Sequence, residues 1–194
     1  MALTPSTMLA LGTEAPDFSL PDATTNETVT LASARGEHGL LVMFICSHCP
    51  FVVHIQDELA KLGREFRNHG LGMVAICAND ASAHPADAPA GLAKQAREFG
   101  FRFPYLYDET QEVAKAYTAA CTPDFFLFGS DLALVYRGQL DGSRPNNGIP
   151  VTGIDLRVAV DALLEDRGIY PNQSPSAGCN IKWRPGNEPD YAKP

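Results

Sequence analysis

The sequence lacks any long uninterrupted hydrophobic run, and its first residues lack positive charge. No apolar stretch approaches the roughly 20 residues that a membrane-spanning helix needs, so we expect no membrane partner. No Lys or Arg precedes Arg35, and the early apolar cluster at residues 8–11 is short. A secretory signal combines a basic start with a longer apolar segment. We therefore predict a soluble, cytoplasmic protein.

Positive charge is scarce along the whole chain. The sequence has 15 Lys and Arg residues against 23 Asp and Glu residues, which gives a formal net charge of -8 at pH 7. Proteins that bind a phosphate backbone need clustered basic side chains, so we expect no nucleic-acid partner. A length of 194 residues with 45% hydrophobic residues is enough for one globular domain with a full core.

Paired metal ligands are also missing. The sequence has one Cys-x-x-Cys and no His-x-x-x-His, whereas a structural zinc site usually takes two ligand pairs. An odd number of cysteines without a secretory signal fits reduced thiols and a cycling pair better than a disulfide framework. The five cysteines are Cys46, Cys49, Cys77, Cys121 and Cys179. We therefore expect no metal and no cofactor, with electrons passing through sulfur.

The stretch around Cys46 and Cys49 has the clearest pattern. Residues 40–45 are six large apolar residues, which predict a strand buried on both faces. From Pro50 the pattern becomes helical, with apolar residues at Val52, Ile55, Leu59, Leu62 and Phe66. The two sulfurs are thus predicted at a strand end and a helix start, where unpaired N–H groups and the helix dipole favour a thiolate.

The rest of the chain predicts an alternation of strands and helices. We expect a hairpin from residues 15–20 and 28–31, a second buried strand at 71–77 parallel to the first, and a helix near 92–99. We then expect a strand at 105–107, a helix beginning at Thr110 and a hairpin over 124–136. A capping box that begins at Thr152 is expected to open a last helix, which ends near Gly168. We divide the chain into a loosely held lead-in (1–11), a domain (12–168) and a C-terminal tail (169–194) packed on it.

Five motifs occur in this order of elements. They are Gly12-x-x-Ala15-Pro16-Asp17-Phe18-x-Leu20, Cys46-Ser47-His48-Cys49-Pro50, Cys121-Thr122-Pro123, Asp141-Gly142-Ser143-Arg144-Pro145 and Gly178-Cys179-Asn180-Ile181-Lys182-Trp183. Together they resemble the peroxiredoxin-like thioredoxin-fold proteins of the alkyl hydroperoxide reductase and thiol-specific antioxidant (AhpC/TSA, redoxin) superfamily, over roughly residues 10–184. The resemblance implies an α/β thioredoxin-like fold with a central mixed sheet flanked by helices, an N-terminal hairpin and an extended C-terminal tail.

The resemblance also implies a site. Pro123 is expected to be cis and to lie opposite the cysteines, which leaves the backbone of Thr122 free to pair with an extended substrate. In a Cys-x-x-Cys pair the outer sulfur is exposed and the inner one is shielded, so we predict that Cys46 is the nucleophile and Cys49 resolves the mixed disulfide. His48, between the sulfurs, is predicted to stabilise the thiolate. The function predicted is thiol–disulfide oxidoreductase, with a protein dithiol or disulfide, or a small thiol, as partner.

Two other functions stay open. The first is a thiol-dependent peroxidase, because Cys49 stands at the position of the peroxidatic cysteine of peroxiredoxins. Cys46, however, replaces the threonine expected three residues earlier, and the arginine of that site, Arg137 or Arg144, is not identified by sequence. The second is a non-catalytic thioredoxin-fold adaptor or metal-binding protein.

The remaining cysteines have alternative interpretations. Cys121 is either an additional redox thiol or a small buried filler. Cys179 is either a thiol that resolves an oxidised Cys46 or Cys49, or part of an apolar anchor that holds the tail on the core. Cys77 is expected in the core. No proton acceptor for Cys49 is identified, and the histidines other than His48 are expected at the surface.

The position of His48 predicts a measurable potential. A partly protonated imidazole next to the pair stabilises the reduced thiolate, so we expect a midpoint potential above the about -270 mV of thioredoxin and towards the about -180 mV of protein disulfide isomerase. Titration in glutathione buffers measures this value. A midpoint at or below that of thioredoxin contradicts the prediction.

Overall fold

The computed structural model describes residues 3–169 and 171–192. The strands are β1 (Leu3–Pro5), β2 (Ser19–Pro21), β3 (Thr28–Thr30), β4 (Gly39–Phe44), β5 (Leu71–Cys77), β6 (Tyr105–Tyr107), β7 (Cys121–Thr122), β8 (Asp124–Gly129), β9 (Leu134–Gly138) and β10 (Ala177–Asn180). The α-helices are α1 (Leu31–Ala34), α2 (Pro50–Asn68), α3 (Pro89–Phe99), α4 (Glu112–Ala116) and α5 (Ile154–Leu164).

The centre of the fold is a five-stranded mixed sheet with the order β6-β5-β4-β8-β9. Strand β4 is buried along its whole length because it pairs on both edges, parallel to β5 and antiparallel to β8. Residues of α2, α3 and α5 cover one face of the sheet, and residues of α1 and α4 cover the other. The predicted central mixed sheet flanked by helices is confirmed.

The local predictions hold for most elements. Strands β2 and β3 form the predicted N-terminal hairpin, and all five apolar positions predicted on α2 are buried. The predicted capping box at Thr152 is wrong, because Gly153 is the N-cap residue of α5 with a φ of 67°. The Asp141 carboxylate instead accepts hydrogen bonds from the backbone N–H groups of Thr152 and Gly153, at 2.7 and 2.6 Å.

The lead-in and the tail meet in a second sheet with the order β1-β10-β7. Strand β10 pairs antiparallel with β1, where Leu3 lies opposite Cys179, and with β7, where Cys179 lies opposite Thr122. The expectation of a loosely held lead-in is therefore wrong for residues 3–5. Residues 1, 2, 170, 193 and 194 of the predicted segments lie outside the described part of the chain, and the three-part division stays a prediction.

Within residues 3–169 and 171–192, no helix combines the length and the apolar character that crossing a membrane requires.

Candidate active site

The two cysteines of the Cys-x-x-Cys motif occupy the turn between β4 and α2. Cys49 is the N-cap residue of α2, and Cys46 lies three residues before it. This confirms the predicted position at a strand end and a helix start. The exposed fraction of Cys46 is 1% and that of Cys49 is 0%. The expectation that Cys46 is exposed is therefore wrong, because a later loop and the tail pack over this turn.

Thr122 contacts both sulfurs from the opposite side. The Thr122–Pro123 peptide bond is cis, as the resemblance implies. The Thr122 hydroxyl oxygen lies 3.6 Å from the Cys46 sulfur, and the Cys49 thiol donates to the Thr122 carbonyl oxygen at 3.2 Å. The backbone edge of Thr122 is not free as expected, because β10 pairs with it.

The pKa values of the two cysteines are shifted in opposite directions. The hydrogen bond that the Cys46 thiol donates lowers the pKa of Cys49 to about 4, and the same bond raises the pKa of Cys46 well above its usual value. Burial and the nearby negative charge of Asp87 raise the pKa of Cys46 further. In a pair coupled this closely, the first ionisation belongs to both groups. One negative charge is thus favoured on the pair, with Cys49 as its main site.

Asp87 anchors the turn between β4 and α2. No sequence pattern predicted this role. Asp87 is the last residue of a 3-10 turn (Pro85–Asp87) and is fully buried. One carboxylate oxygen accepts from the Ser47 backbone N–H at 2.9 Å and from the Ser47 hydroxyl at 2.8 Å, and the other accepts from the Asn79 amide at 2.7 Å. A buried carboxylate is tolerated when it is hydrogen-bonded in this way.

His48 lies between Asp87 and a second histidine. Its Nδ1 is 2.6 Å from the Asp87 carboxylate but off the hydrogen-bonding direction, so the contact is electrostatic. Its ring stacks on that of His84, with the centroids 5.1 Å apart. His84, which was expected at the surface, is half-buried there and forms this contact with His48. The effect of His48 on the thiolate stays a prediction.

These side chains offer ligands for a metal ion. The Cys46 sulfur, a ring nitrogen of His48 and a carboxylate oxygen of Asp87 lie within 4.8 Å of one another. Sulfur and imidazole ligands suit zinc or copper. The metal-binding function left open by the sequence therefore has a candidate site at these three residues.

The two candidate arginines have other partners. Arg137 donates to the Leu9 carbonyl oxygen at 2.8 Å and to the Gln173 side chain at 2.8 Å. Arg144 donates to the Asp141 carbonyl oxygen at 2.7 Å and to the Gln139 side chain at 2.6 Å. Both guanidinium groups serve local structure, and neither donates to Cys46 or Cys49.

The other three cysteines differ in their surroundings. Burial raises the pKa of Cys77 and of Cys121, and the Cys121 thiol donates to the Pro123 carbonyl oxygen at 3.6 Å. These contacts support a packing role for both. Cys179 is 3% exposed and belongs to the same buried cluster as Cys46 and Cys49. Burial, followed by a hydrogen bond with Cys49, raises the pKa of Cys179 to about 12. The structure thus brings Cys179, and not Cys121, to the Cys-x-x-Cys pair.

One sequence signal pointed to Asp87 and Asn79. Strands β4 and β5 are parallel, so the residues that follow them meet at one edge of the sheet. The cysteine turn follows β4, and Asn79 follows β5. Polar residues in the loop after β5 were therefore candidates to contact the cysteine turn, although no periodicity selects one of them.

The AhpC/TSA family model matches residues 11–137, which is more than half of the chain. The chain belongs to the AhpC/TSA family. At the level of the family, this makes it a thiol-dependent redox protein, of the thiol–disulfide oxidoreductase or the peroxiredoxin kind.

Three proteins with similar sequences or structures are informative. An uncharacterized conserved protein of Geobacillus kaustophilus is 53% identical, with 96% of this chain and 98% of that chain covered and a TM-score of 0.94. Rv2521 of Mycobacterium tuberculosis, named as a candidate peroxiredoxin, is 31% identical over 60% of this chain and 69% of its own length. The DsbE-type thiol:disulfide interchange protein of Chlorobium tepidum is 21% identical with a TM-score of 0.63, covering 80% of this chain and 99% of that chain. This last similarity shows a thioredoxin-like fold alone.

The opposite pKa shifts of Cys46 and Cys49 predict how the reduced protein titrates. Above about pH 5 the pair should carry one thiolate, because the pKa of Cys49 is about 4. Thiolate absorbance at 240 nm should therefore persist to mildly acidic pH and fall as the pH drops towards 4.

Two variants test whether the hydrogen bond from Cys46 lowers the pKa of Cys49. Cys46→Ala removes the donor and should move the titration midpoint upwards, whereas Cys46→Ser keeps a hydroxyl donor and should stay closer to the wild-type midpoint. Equal midpoints in both variants contradict this cause.

The contacts of Asp87 predict a loss of stability. Asp87→Ala leaves the Ser47 N–H and the Asn79 amide without their acceptor and should lower the free energy of unfolding by about 3 kcal/mol. Urea denaturation of the reduced protein measures the change. Asp57→Ala, at an exposed position of α2, is the control and should stay within about 0.5 kcal/mol. Similar losses in the two variants count against the anchoring role.

Proposed function

We propose that the chain is a thiol–disulfide oxidoreductase in which Cys46 and Cys49 form a disulfide and reopen it in each turnover. The observation that supports this function is the placement of both sulfurs at the start of α2, where each of them contacts Thr122 of the cis Thr122–Pro123 bond. A thiolate is the nucleophile in disulfide exchange, and the pair favours one below neutral pH. The reaction needs no group other than these two sulfurs and an oxidised or reduced partner.

The proposed order of steps keeps Cys46 as the nucleophile. The Cys46 proton passes to Cys49 along their hydrogen bond, and the Cys46 thiolate attacks a substrate disulfide, forming a mixed disulfide and releasing one substrate thiolate. Cys49 then loses its proton and attacks the Cys46 sulfur, which releases the second substrate thiolate. The substrate disulfide gains two electrons and leaves as two thiolates, one of which takes up the proton lost by Cys49, and the protein gains one disulfide.

Three neighbouring residues have supporting roles in this proposal. The hydroxyl group of Thr122 lies near Cys46 and can donate to its thiolate. Pro123, as the cis residue, directs the Thr122 carbonyl oxygen to Cys49. His48 adjusts the charge balance around Cys46 together with Asp87.

A thiol-dependent peroxidase is the second candidate. The specific observation in its favour is that the lowered pKa belongs to Cys49, at the position of the peroxidatic cysteine. In this reaction the Cys49 thiolate attacks a peroxide oxygen and becomes a sulfenic acid, and the Cys46 thiol condenses with it to form a disulfide and water. The threonine hydroxyl missing at position 46 has a counterpart in Thr122, which reaches the pair from β7.

The proposed partners follow from this chemistry. They are a protein dithiol or disulfide, or a small thiol, with peroxide as the oxidant in the second candidate. The cytoplasm is the proposed compartment, because a cycling thiol pair and an odd number of cysteines suit a reducing environment.

Serine variants separate the candidates. Cys46→Ser and Cys49→Ser should both abolish reduction of insulin disulfides, because exchange needs two thiols. Cys49→Ser should accumulate a mixed disulfide through Cys46. In a peroxide-consumption assay with a thiol reductant, only Cys49→Ser should lose the first step.

Cys77→Ser is the matched control, a buried cysteine that should leave both activities unchanged. If oxidised and reduced samples contain the same number of free thiols at positions 46 and 49, both redox functions fail. Stoichiometric zinc on the purified protein, together with that result, supports the metal-binding alternative at Cys46, His48 and Asp87.

A further inference from the structure

The tail strand β10 occupies the backbone edge of Thr122. In the antiparallel pairing, Cys179 lies opposite Thr122 and Asn180 lies opposite Cys121. The Ile181 N–H donates to the Ala120 carbonyl oxygen at 3.1 Å, which extends the pairing by one residue. A segment of the chain itself therefore takes the place at which an extended substrate was expected.

Gly178 makes this close approach possible. A Cβ atom at position 178 would lie 2.0 Å from the Thr122 carbonyl oxygen and 3.3 Å from the Pro123 ring. A Cβ contact this short with a backbone atom forces one of the two strands to move. The Gly-Cys dipeptide therefore places the backbone of β10 directly against the cis peptide bond, with a thiol as the next side chain.

Cross-strand geometry directs that thiol to the Cys-x-x-Cys pair. Residues directly opposite in an antiparallel pair point their side chains to the same face. The side chain of Thr122 faces Cys46, at 3.6 Å from its sulfur, so the side chain of Cys179 lies on the same face. Cys179 belongs there to the same buried cluster as Cys46 and Cys49, and a hydrogen bond with Cys49 contributes to its raised pKa. Cys49 thus has one sulfur neighbour in its own turn and a second in the tail.

We propose that Cys179 is a third redox thiol, which takes over the disulfide from Cys46 by attacking the Cys49 sulfur. The inference rests on the proposed function, because the Cys46–Cys49 disulfide is its starting point. The Cys179 thiolate forms a bond with the Cys49 sulfur, the bond between Cys49 and Cys46 breaks, and Cys46 leaves as a thiolate. The proton lost by Cys179 ends on Cys46. One disulfide replaces another, so no further oxidant is needed.

Oxidation of the pair itself favours this step. Two of the causes that raise the pKa of Cys179, its hydrogen bond with Cys49 and the negative charge on Cys49, are lost when Cys49 enters a disulfide. Burial, the largest cause, remains, and the positive charge of Lys182 acts in the opposite direction. Cys179 is therefore a poor nucleophile next to the reduced pair and a better one next to the oxidised pair.

Tryptic peptides distinguish the two disulfides. Peptide 36–61 contains both Cys46 and Cys49, and peptide 168–182 contains Cys179 as its one cysteine. A Cys46–Cys49 disulfide stays within the first peptide, whereas a bond to Cys179 joins the two. The experiment oxidises the reduced full-length protein with diamide, blocks free thiols with N-ethylmaleimide at low pH, and analyses the non-reduced digest by mass spectrometry.

The cross-linked species 36–61/168–182 should appear in the oxidised wild type and should become the main product in Cys46→Ser. It should be lost in Cys49→Ser and in Cys179→Ser. Cys121→Ser, which removes a buried thiol on the neighbouring strand, should leave the pattern unchanged. Gly178→Ala should displace β10 and lose the cross-link, while the disulfide within peptide 36–61 remains.

The outcomes separate this inference from the proposed function. If the disulfide within peptide 36–61 forms and the cross-link is missing from both wild type and Cys46→Ser, the role of Cys179 is overturned and the proposed function stands. If neither disulfide forms, the proposed function fails with it. A cross-link that persists in Cys49→Ser shows attack on Cys46 and also overturns the proposal.

Discussion

The contacts of Thr122 determine the arrangement of the site. Its hydroxyl group lies next to Cys46, its carbonyl oxygen accepts from Cys49, and its backbone pairs with the residue that carries the third thiol. A single residue before the cis proline thereby positions three sulfurs that come from separate parts of the sequence. Since a strand pairing fixes the register of the residues that take part, the distance between Cys179 and the pair depends on the β7–β10 pairing.

A buried carboxylate supports the opposite side of the same turn. Asp87 satisfies the Ser47 N–H, the Ser47 hydroxyl and the Asn79 amide, so the turn between β4 and α2 is tied to the loop after β5. Its negative charge also disfavours a thiolate on Cys46. The Asp87 side chain thus both anchors the turn and raises the pKa of Cys46. The hydrogen bond with Cys46 lowers the pKa of Cys49, and the same bond, burial and the charge of Asp87 raise the pKa of Cys46.

The family frame and the site of this chain differ in an informative way. The AhpC/TSA resemblance implies a threonine before the reactive cysteine and an arginine nearby, and this chain has a cysteine at position 46 and keeps Arg137 and Arg144 in other contacts. A second sulfur in place of the hydroxyl allows a disulfide within the turn. The tail strand β10 covers the backbone edge of Thr122 at which the resemblance implies pairing with an extended segment.

The sequence by itself determined the buried strands of the central sheet and the position of Cys46 and Cys49, and the family resemblance added the cis Thr122–Pro123 bond. Buried strands and an amphipathic helix leave strong local patterns, because burial on both faces or on one stripe restricts residue type at regular intervals. Only the tertiary structure decided that Asp87 anchors the cysteine turn, that Cys46 is buried, and that β10 brings Cys179 to Cys49. Those contacts join residues 40 to 130 positions apart through short loops and strands, in which no repeating pattern records the distant partner.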